Sequence, residues 1–412
     1  MVPEIFKYIR HHGYPLSTLQ ADFIAGVTVA IVALPLSMAL AIASGASPEK
    51  GLVTAVVAGF FISFAGGTRL QIGGPTGAFI IIVFDVIAEH GYDGLLLATF
   101  MAGIILIISG YLKLGKIIEH VPHCVLTGFT TGLSIILLSS QIKDFFGLSI
   151  DQVPSHFIEK WQVYFSNFHS INTYAVFISV LSLCVIVIQR KYFSKLPGFL
   201  IVVILASIII SLFQLPVETI GSRYPNIAVG FPSPQLPAWD TALLIKLLPS
   251  ALTIAFLAGV ESLLCAVITD RMTKYKHNSN QELIGQGVAN IASCLFGGIS
   301  ATGALARTVT NIHAGGKTPV AGMIHSLLIL CFILVGMDLT KYIPMASLSG
   351  ILFVVAWNMS EAKNFMSLFK TSKTEYYIML ITFLATIFIG ISEAISIGLI
   401  LSLLAKRYKL LS

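Results

Sequence analysis

Residues 64–77 read FAGGTRLQIGGPTG, and residues 296–303 follow the same plan as FGGISATG. Each stretch holds a phenylalanine, a glycine pair, a short extended segment and a further glycine before a helix start. Each also follows the second apolar run in its half of the chain. Non-helical backbone survives at membrane depth only where it is buried in protein or lines a cavity. The repeated pattern therefore predicts two related halves, each with a helix that begins inside the protein.

The composition places the chain in a membrane. Of its 412 residues 56% are hydrophobic and only 11% are charged, and the mean hydropathy is +0.89. A soluble domain is about 45–50% apolar and about 25% charged. An ordinary soluble enzyme, a disordered chain and a disulfide scaffold are therefore excluded. Nothing resembles a nucleic-acid module, so no nucleic-acid partner is expected, and we interpret the net charge of +6 as basic loops at one membrane face.

A helix needs about 20 apolar residues to span the hydrocarbon core. Long apolar runs lie at 22–43, 51–66, 94–112, 122–140, 173–189, 197–214, 247–269, 283–296, 319–336, 343–357, 375–391 and 393–405. Two shorter runs, 75–88 and 303–313, follow glycines and are predicted to be half-helices. The pattern predicts an all-α polytopic membrane protein with fourteen transmembrane elements. Because each half has an odd number of elements, the second half enters from the opposite face, which makes a 7+7 inverted repeat of the kind found in secondary transporters.

The lysines and arginines orient this map. We place the N-terminus on the cytoplasmic side and let successive elements cross the membrane in alternating directions. Eighteen lysines and arginines then lie on the cytoplasmic side and six lie outside, with Arg307 inside the membrane. Cytoplasmic loops carry the excess of basic residues. We therefore expect an integral membrane protein with both termini cytoplasmic.

The same map divides the chain into four parts. We expect a cytoplasmic N-terminal segment at 1–21, a first repeat at 22–220, a second repeat at 240–405 and a cytoplasmic tail at 406–412. Between the repeats lies a polar connection with five prolines: Pro216, Pro225, Pro232, Pro234 and Pro237.

The two half-helix starts are the best candidates for a substrate site. Thr76, Gly77 and Ala78 follow Pro75 in the first half, and Ala304, Leu305 and Ala306 follow Gly303 in the second. A helix that begins at mid-membrane points free N–H groups and the positive end of its dipole into the protein, which favours an anion. The alternative is that both are ordinary glycine-rich helix contacts.

Two charged residues within apolar segments are candidates for a functional role. Arg307 follows the second half-helix start, where a full positive charge would favour a multi-oxygen anion. Glu261 lies at the centre of the run 247–269 and could carry a coupling proton or neutralise Arg307 when the site is empty. The alternatives are a structural arginine held by carbonyls or a carboxylate, and a static Glu261 hydrogen bond or ion pair.

Metal and cofactor chemistry have no support in the pattern. The five cysteines lie in apolar segments without CxxC spacing, and the histidines show no metal spacing. There is no P-loop and no hydrolase motif, so neither an enzyme nor an ATP-driven pump is expected.

The chain resembles the SulP (sulfate permease) anion transporters over nearly its whole length, and among bacterial members it is most similar to proton-linked C4-dicarboxylate carriers. The segments that carry the resemblance are ALPLSMALAIASGASPEKGL (33–52), GGPTGAF (73–79), GYLKLGKIIEHVP (110–122), GFTTGLSIILLSSQIKDFFG (128–147), GVESLLCAVITDRMTKYKHNSNQELIGQGVANI (259–291) and FGGISATGALARTVTN (296–311). The resemblance implies a core domain of elements 1–4 and 8–11 that moves against a gate domain of elements 5–7 and 12–14. It also implies that Leu36 and Leu40 join the half-helix residues at the substrate site, that Glu261 is the acidic position of element 8, and that the protein forms a homodimer.

Departures from the family pattern refine the expectation. Most members continue into a cytoplasmic STAS domain, which this sequence does not include. The sodium-coupled bicarbonate carriers of the family have Asp in place of Glu261, hydroxyls in place of Cys265 and Leu305, and no Arg at 307. These differences favour proton coupling or exchange of a small anion such as sulfate, a C4-dicarboxylate or bicarbonate. The alternatives are an anion channel, or a nucleobase or borate carrier of the same broad architecture.

Overall fold

The computed structural model shows helices throughout and one short pair of strands. It describes residues 2–118, 122–150, 153–154, 156–193, 196–228, 230–237, 241–273, 275–360, 362, 365, 367 and 373–407.

The helices of the first half are α1 (Glu4–His12), α2 (Leu16–Ala43), α3 (Pro48–Ala65), α4 (Ile80–Tyr111), α5 (Gly115–Ile118), α6 (His123–Ser140), α7 (Ile142–Phe146), α8 (Phe157–Ser166), α9 (Thr173–Tyr192), α10 (Gly198–Phe213) and α11 (Ile220–Arg223). Those of the second half are α12 (Thr241–Thr273), α13 (Ser279–Leu295), α14 (Leu305–His313), α15 (Val320–Val335), α16 (Met345–Met359), α17 (Lys373–Phe388) and α18 (Ile391–Arg407). The strands are β1 (Gly73–Gly74) and β2 (Thr302–Gly303), and short 3-10 helices cover Gly77–Phe79, Phe168–Ser170 and Met337–Tyr342.

The helical membrane fold predicted from the apolar runs is confirmed. A helix occupies each of the fourteen predicted stretches, and α4 contains two of them on either side of Gly91, whose φ of 72° breaks the helix. Within the described residues, six helices are long and apolar enough to cross a membrane, and three apolar helices are shorter. Backbone groups have no water to bond in the hydrocarbon core, so helices that satisfy them internally are the expected solution. The number of true spans and the inverted symmetry stay predictions.

The helices do not follow the predicted segment boundaries at every point. The segment predicted as 1–21 contains the whole of α1 and the beginning of α2, which starts at Leu16. The second repeat, predicted from 240, is described from Thr241. Of the predicted tail, residues 406 and 407 end α18, and 408–412 lie outside the described residues.

Packing separates most of the helices into two groups. The core group consists of α2, α3, α4, α12, α13, α14 and α15, which pack mainly on one another. The gate group consists of α6, α7, α9, α10, α16, α17 and α18. The groups meet where α2 packs against α10 and α16, and where the 3-10 turn Gly77–Phe79 touches α6 and α16. This is the division that the family resemblance implies, and it places the first half-helix start at the boundary.

Candidate functional site

The two glycine stretches meet in an antiparallel ladder. Gly73 pairs with Gly303 and Gly74 pairs with Thr302. The ladder continues through Ala304, whose N–H donates to the carbonyl of Ile72 at 2.8 Å. Because the strands run in opposite directions, the helices that follow them leave the ladder at opposite ends. The extended backbone is thus satisfied within the protein, as a membrane interior demands.

One face of α14 lies along the first strand. The hydroxyl of Thr308 accepts from the N–H of Ile72 at 3.0 Å, and the side-chain amide of Asn311 donates to the carbonyl of Leu70 at 2.8 Å. Positions 304, 307, 308 and 311 share one helical face by their spacing. The residues between them point away, and Leu305 is 42% exposed. At the start of α14 the predicted site residues Leu305 and Ala306 are exposed, whereas Ala304, just before the helix, is buried.

Arg307 is the largest of the fully buried side chains and is only 1% exposed. Its guanidinium donates to the hydroxyl of Ser37 at 3.0 Å and, at 3.4 Å each, to the carbonyls of Gly73 and Pro75. Its Nε has no hydrogen-bond partner, and no carboxylate lies within 4 Å, among the described residues. The arginine therefore braces α14 against the first strand and α2. Its charge is not neutralised by a neighbouring carboxylate, so it makes the ladder electropositive.

Glu261 of α12 lies at the first half-helix start. Its carboxylate accepts a hydrogen bond from the Thr76 hydroxyl at 2.9 Å, and its side chain is partly exposed. In the described part of the chain it has no ion pair, so the considered Glu261–Arg307 pair is not formed here. The Arg307 guanidinium binds the carbonyl of Pro75, next to Thr76, so the carboxylate and the guanidinium both lie beside the first half-helix start without pairing. Thr76 and Gly77 are partly exposed beside it, and Ala78 is buried.

A model of the Sulfate permease family matches residues 19–382 of this sequence. The chain belongs to the sulfate permease family. The members of this family are transport proteins rather than enzymes, and the apolar helices make this one an integral membrane protein.

Several relatives of known name or structure are similar to it. YvdB of Bacillus subtilis, a candidate sulfate transporter, is 41% identical over 394 residues, which are 95% of this chain and 74% of YvdB. The bicarbonate transporter BicA of Picosynechococcus is 32% identical over 391 residues, covering 92% of this chain and 69% of BicA. The solved transmembrane domain of a cyanobacterial BicA superposes with a TM-score of 0.80 at 32% identity over 94% of this chain and 98% of that domain. The structure of SLC26A9, at 20% identity, shares the fold with a TM-score of 0.89 over 98% of this chain and 68% of its own.

Two residues implied by the family resemblance are packed inside the protein. Leu36 and Leu40 belong to a buried cluster in which α2 meets α3 and α16. They flank Ser37, which accepts from Arg307, so they position the α2 side of the site. Their contact with substrate stays a prediction.

Met359 is a residue near the site that the sequence did not single out. A Cβ placed on Gly77 would lie 2.5 Å from the Met359 sulfur, so the end of α16 covers the first half-helix start. Met359 also packs against both large apolar clusters. As one more methionine in an apolar run, it carries no local signal. Only its place in three dimensions reveals it.

Glu282 was also missed as a site residue. It is buried, and its carboxylate accepts from the backbone N–H of Gly67 and from the hydroxyls of Thr68 and Ser262 at 2.7–2.9 Å. Gln286 donates to the same carboxylate at 2.8 Å. The acid therefore fixes the loop that leads into β1. The sequence signal is an unusually polar helix start, where the side chain of Asn278 accepts a hydrogen bond from the N–H of Gln281.

Proposed function

We propose that this protein is a secondary active transporter of small anions. The anion binds between the helix starts at Gly77 and Leu305. The observation that carries the proposal is the β1–β2 ladder, which joins two interrupted elements at their N-terminal ends beside the uncompensated charge of Arg307. Helix N-termini and a guanidinium both stabilise negative charge in a medium of low dielectric constant.

The relatives support the class of substrate. BicA carries bicarbonate and YvdB is a candidate sulfate transporter, so oxyanions are the first substrates to examine. Glycine and alanine at positions 77 and 306 leave room for an anion larger than chloride. Sulfate, a C4-dicarboxylate and bicarbonate fit this chemistry, with sulfate and dicarboxylates making the fuller use of a guanidinium.

Glu261 is the proposed proton carrier. Its carboxylate lies beside Thr76 at the anion site, so its negative charge opposes anion binding while it is ionised. Protonation removes that charge. Proton and anion then strengthen each other's binding, which is the reciprocal coupling that a symporter requires.

Transport would proceed by elevator-like movement of the core group against the gate group. The site lies on the core side of the boundary, and the gate residue Met359 covers it. Movement of the core group past this side chain would open the site to one face and then to the other. Both termini lie in the cytoplasm of a bacterial-type cell, and the protein forms a homodimer.

Uptake into proteoliposomes tests the proposal. Labelled sulfate, succinate and bicarbonate are offered to vesicles with and without an inward-directed proton gradient, and empty liposomes serve as the control. We expect saturable uptake of at least one anion, faster with the gradient, and stimulation by the same anion inside the vesicle. The absence of saturable uptake of every anion would contradict the proposal. Large unitary currents without stimulation from the opposite side would indicate a channel.

A further inference from the structure

The N-terminal helix α1 is attached to the core group. The backbone N–H of Glu4 donates to the carbonyl of Gly66 at 3.0 Å, at the end of α3. The Glu4 carboxylate accepts from the Arg69 guanidinium at 3.2 Å. Phe6 packs edge-on against Phe64 of α3, with ring centroids 5.6 Å apart. The helix is therefore packed against the core group.

Arg69 is the centre of this attachment. Its guanidinium lies 3.8 Å from the ring centroid of Tyr275 and 5.0 Å from that of Tyr8. Cation–π contacts at these distances add to the ion pair with Glu4. Arg69 belongs to the loop that leads into β1, so α1 is joined to the segment that ends at the first half-helix.

The outer side of α1 is apolar. Phe6 is 49% exposed and Ile9 is 45% exposed, and Val2, just before the helix, is 48% exposed. At about 100° per residue Phe6 and Ile9 lie on the same side of the helix, roughly 60° apart. The exposed apolar surface continues at Leu16 and Leu19 in the first turns of α2, a helix long enough to cross the bilayer. The sector of α1 thus extends the lipid-facing surface of the protein.

Basic side chains border this apolar sector. Arg10, Lys7 and His11 follow it around the helix, and Arg10 and His11 are exposed. Arg10 has no carboxylate within 4 Å among the described residues, and Lys7 is 3.9 Å from Glu4, whose other oxygen already binds Arg69. An apolar sector flanked by cations is the pattern of a helix that lies in the membrane interface.

We propose that α1 is an interfacial helix that binds anionic phospholipid headgroups through Lys7 and Arg10. Phe6 and Ile9 enter the acyl-chain boundary beneath those headgroups. Because α1 is joined to the loop before β1, a charged lipid held there contacts the core group rather than the gate group. The inference uses no property of the anion site and is independent of the proposed transport activity.

Fluorescence of the whole protein in nanodiscs tests the proposal. Phe6→Trp adds a fluorophore at a half-exposed position, and the emission of the parent protein is subtracted. Brominated phosphatidylcholine and brominated phosphatidylglycerol are compared as quenchers. We expect both lipids to quench the introduced tryptophan, and phosphatidylglycerol to bind the site severalfold better. Lys7→Gln with Arg10→Gln should lower that preference by about fivefold for each charge removed.

Matched variants serve as controls for the quenching experiment. Lys317→Gln with Lys406→Gln removes two exposed lysines elsewhere and should leave the preference unchanged. Ile9→Trp replaces Phe6→Trp if the latter protein does not purify as a monodisperse species. Absence of quenching by either lipid would show that α1 does not reach the membrane. Equal quenching by both lipids, unchanged by Lys7→Gln with Arg10→Gln, would show that anionic headgroups are not recognised.

Discussion

Arg307 binds three acceptors, and none of them is an anion. Its hydrogen bonds go to two carbonyls of the first glycine stretch and to the Ser37 hydroxyl. Burying a charge without enough hydrogen-bond partners costs free energy of folding. Such residues persist in membrane proteins mainly for function. The sequence allowed either a structural arginine or a charge that favours an anion. The side chain combines both roles, since it braces the ladder and also supplies its positive potential.

Arg307→Ala should reduce anion uptake at least tenfold, because it removes that potential and the brace together. Arg307→Lys keeps the charge but cannot reach three acceptors in a fixed fork, so an intermediate rate is expected. Initial uptake rates in proteoliposomes, at equal amounts of reconstituted protein, measure the effect. Thr310→Val on the same helix is the control. Within the described residues its hydroxyl bonds only the carbonyl of Ala306. Unchanged uptake by Arg307→Ala would remove Arg307 from the mechanism.

Glu261→Gln should separate coupling from binding. The amide oxygen of glutamine can still accept from the Thr76 hydroxyl, so the local structure is retained. The site then stays neutral at every pH. We expect anion exchange to continue while acceleration by an inward proton gradient disappears. Glu261→Asp, which keeps an ionisable group, should retain some acceleration. A Glu261→Gln protein that responds fully to the gradient would place the coupling proton elsewhere.

At the scale of elements, the ladder depends on glycine at position 74. Its φ is +148°, in a region that side chains rarely adopt, and a Cβ there would collide with the Arg307 guanidinium. Gly74→Ala should therefore displace Arg307 and abolish uptake. Gly91→Ala is the matched control, because its φ is +72° but nothing lies within 4 Å of a new Cβ. The control should lose only about 1–2 kcal/mol of stability and keep its uptake. Equal uptake by both variants would contradict the role of the ladder.

The short helix α11 is tied to its neighbours by charge. Arg223 donates to Asp144 at 2.6 Å and also to Glu218. Burial alone would raise the pKa of Glu218, but the hydrogen bond and charge of Arg223 outweigh it and lower the pKa below its ordinary value of 4.5. A lowered carboxyl pKa stabilises the fold at neutral pH, and that stability is lost as the pH falls through the lowered value.

Arg223→Gln should accordingly lower the Tm at pH 7 by a few degrees, about 1–3 kcal/mol in free energy of unfolding. The gap between parent and variant should narrow below pH 4, as Glu218 becomes protonated in both proteins. Thermal unfolding of the detergent-solubilised proteins from pH 7 to pH 3.5 measures it. A gap that is constant across this range would show that the ion pair contributes nothing.

Sequence patterns predicted the elements better than their contacts. Apolar runs and the glycine stretches are local features, and the structure has helices and strands at each of them. The pairing of Gly73 with Gly303 was not predicted, since nothing local specifies a partner 230 positions away. Helix α1 was missed because it is short and of mixed polarity. Its regularity emerges only when Arg69 and Phe64 provide partners.

At the scale of the whole molecule, function depends on the boundary between the two groups of helices. The ladder, Arg307 and Glu261 all belong to the core group, and their mutual hydrogen bonds make it one unit. The gate group contributes Met359 at the first half-helix start. If the core group moves during transport, the Gly77–Met359 contact must break and re-form in each cycle, whereas contacts within the core persist.

A pair of substitutions across this boundary tests the movement. A Cβ on Gly77 would lie 2.5 Å from the Met359 sulfur, which is too close, although the end of a methionine side chain can shift. Gly77→Ala should therefore slow uptake severalfold, and adding Met359→Ala should restore most of the rate. Val355→Ala is the matched control, because Val355 lies at an ordinary 3.7 Å from the same Cβ and its loss should rescue nothing. The double-mutant cycle isolates the contact between the groups. If Gly77→Ala instead blocks the anion directly, Met359→Ala will not rescue it, and the contact between Gly77 and Met359 is then not the cause of the slower uptake.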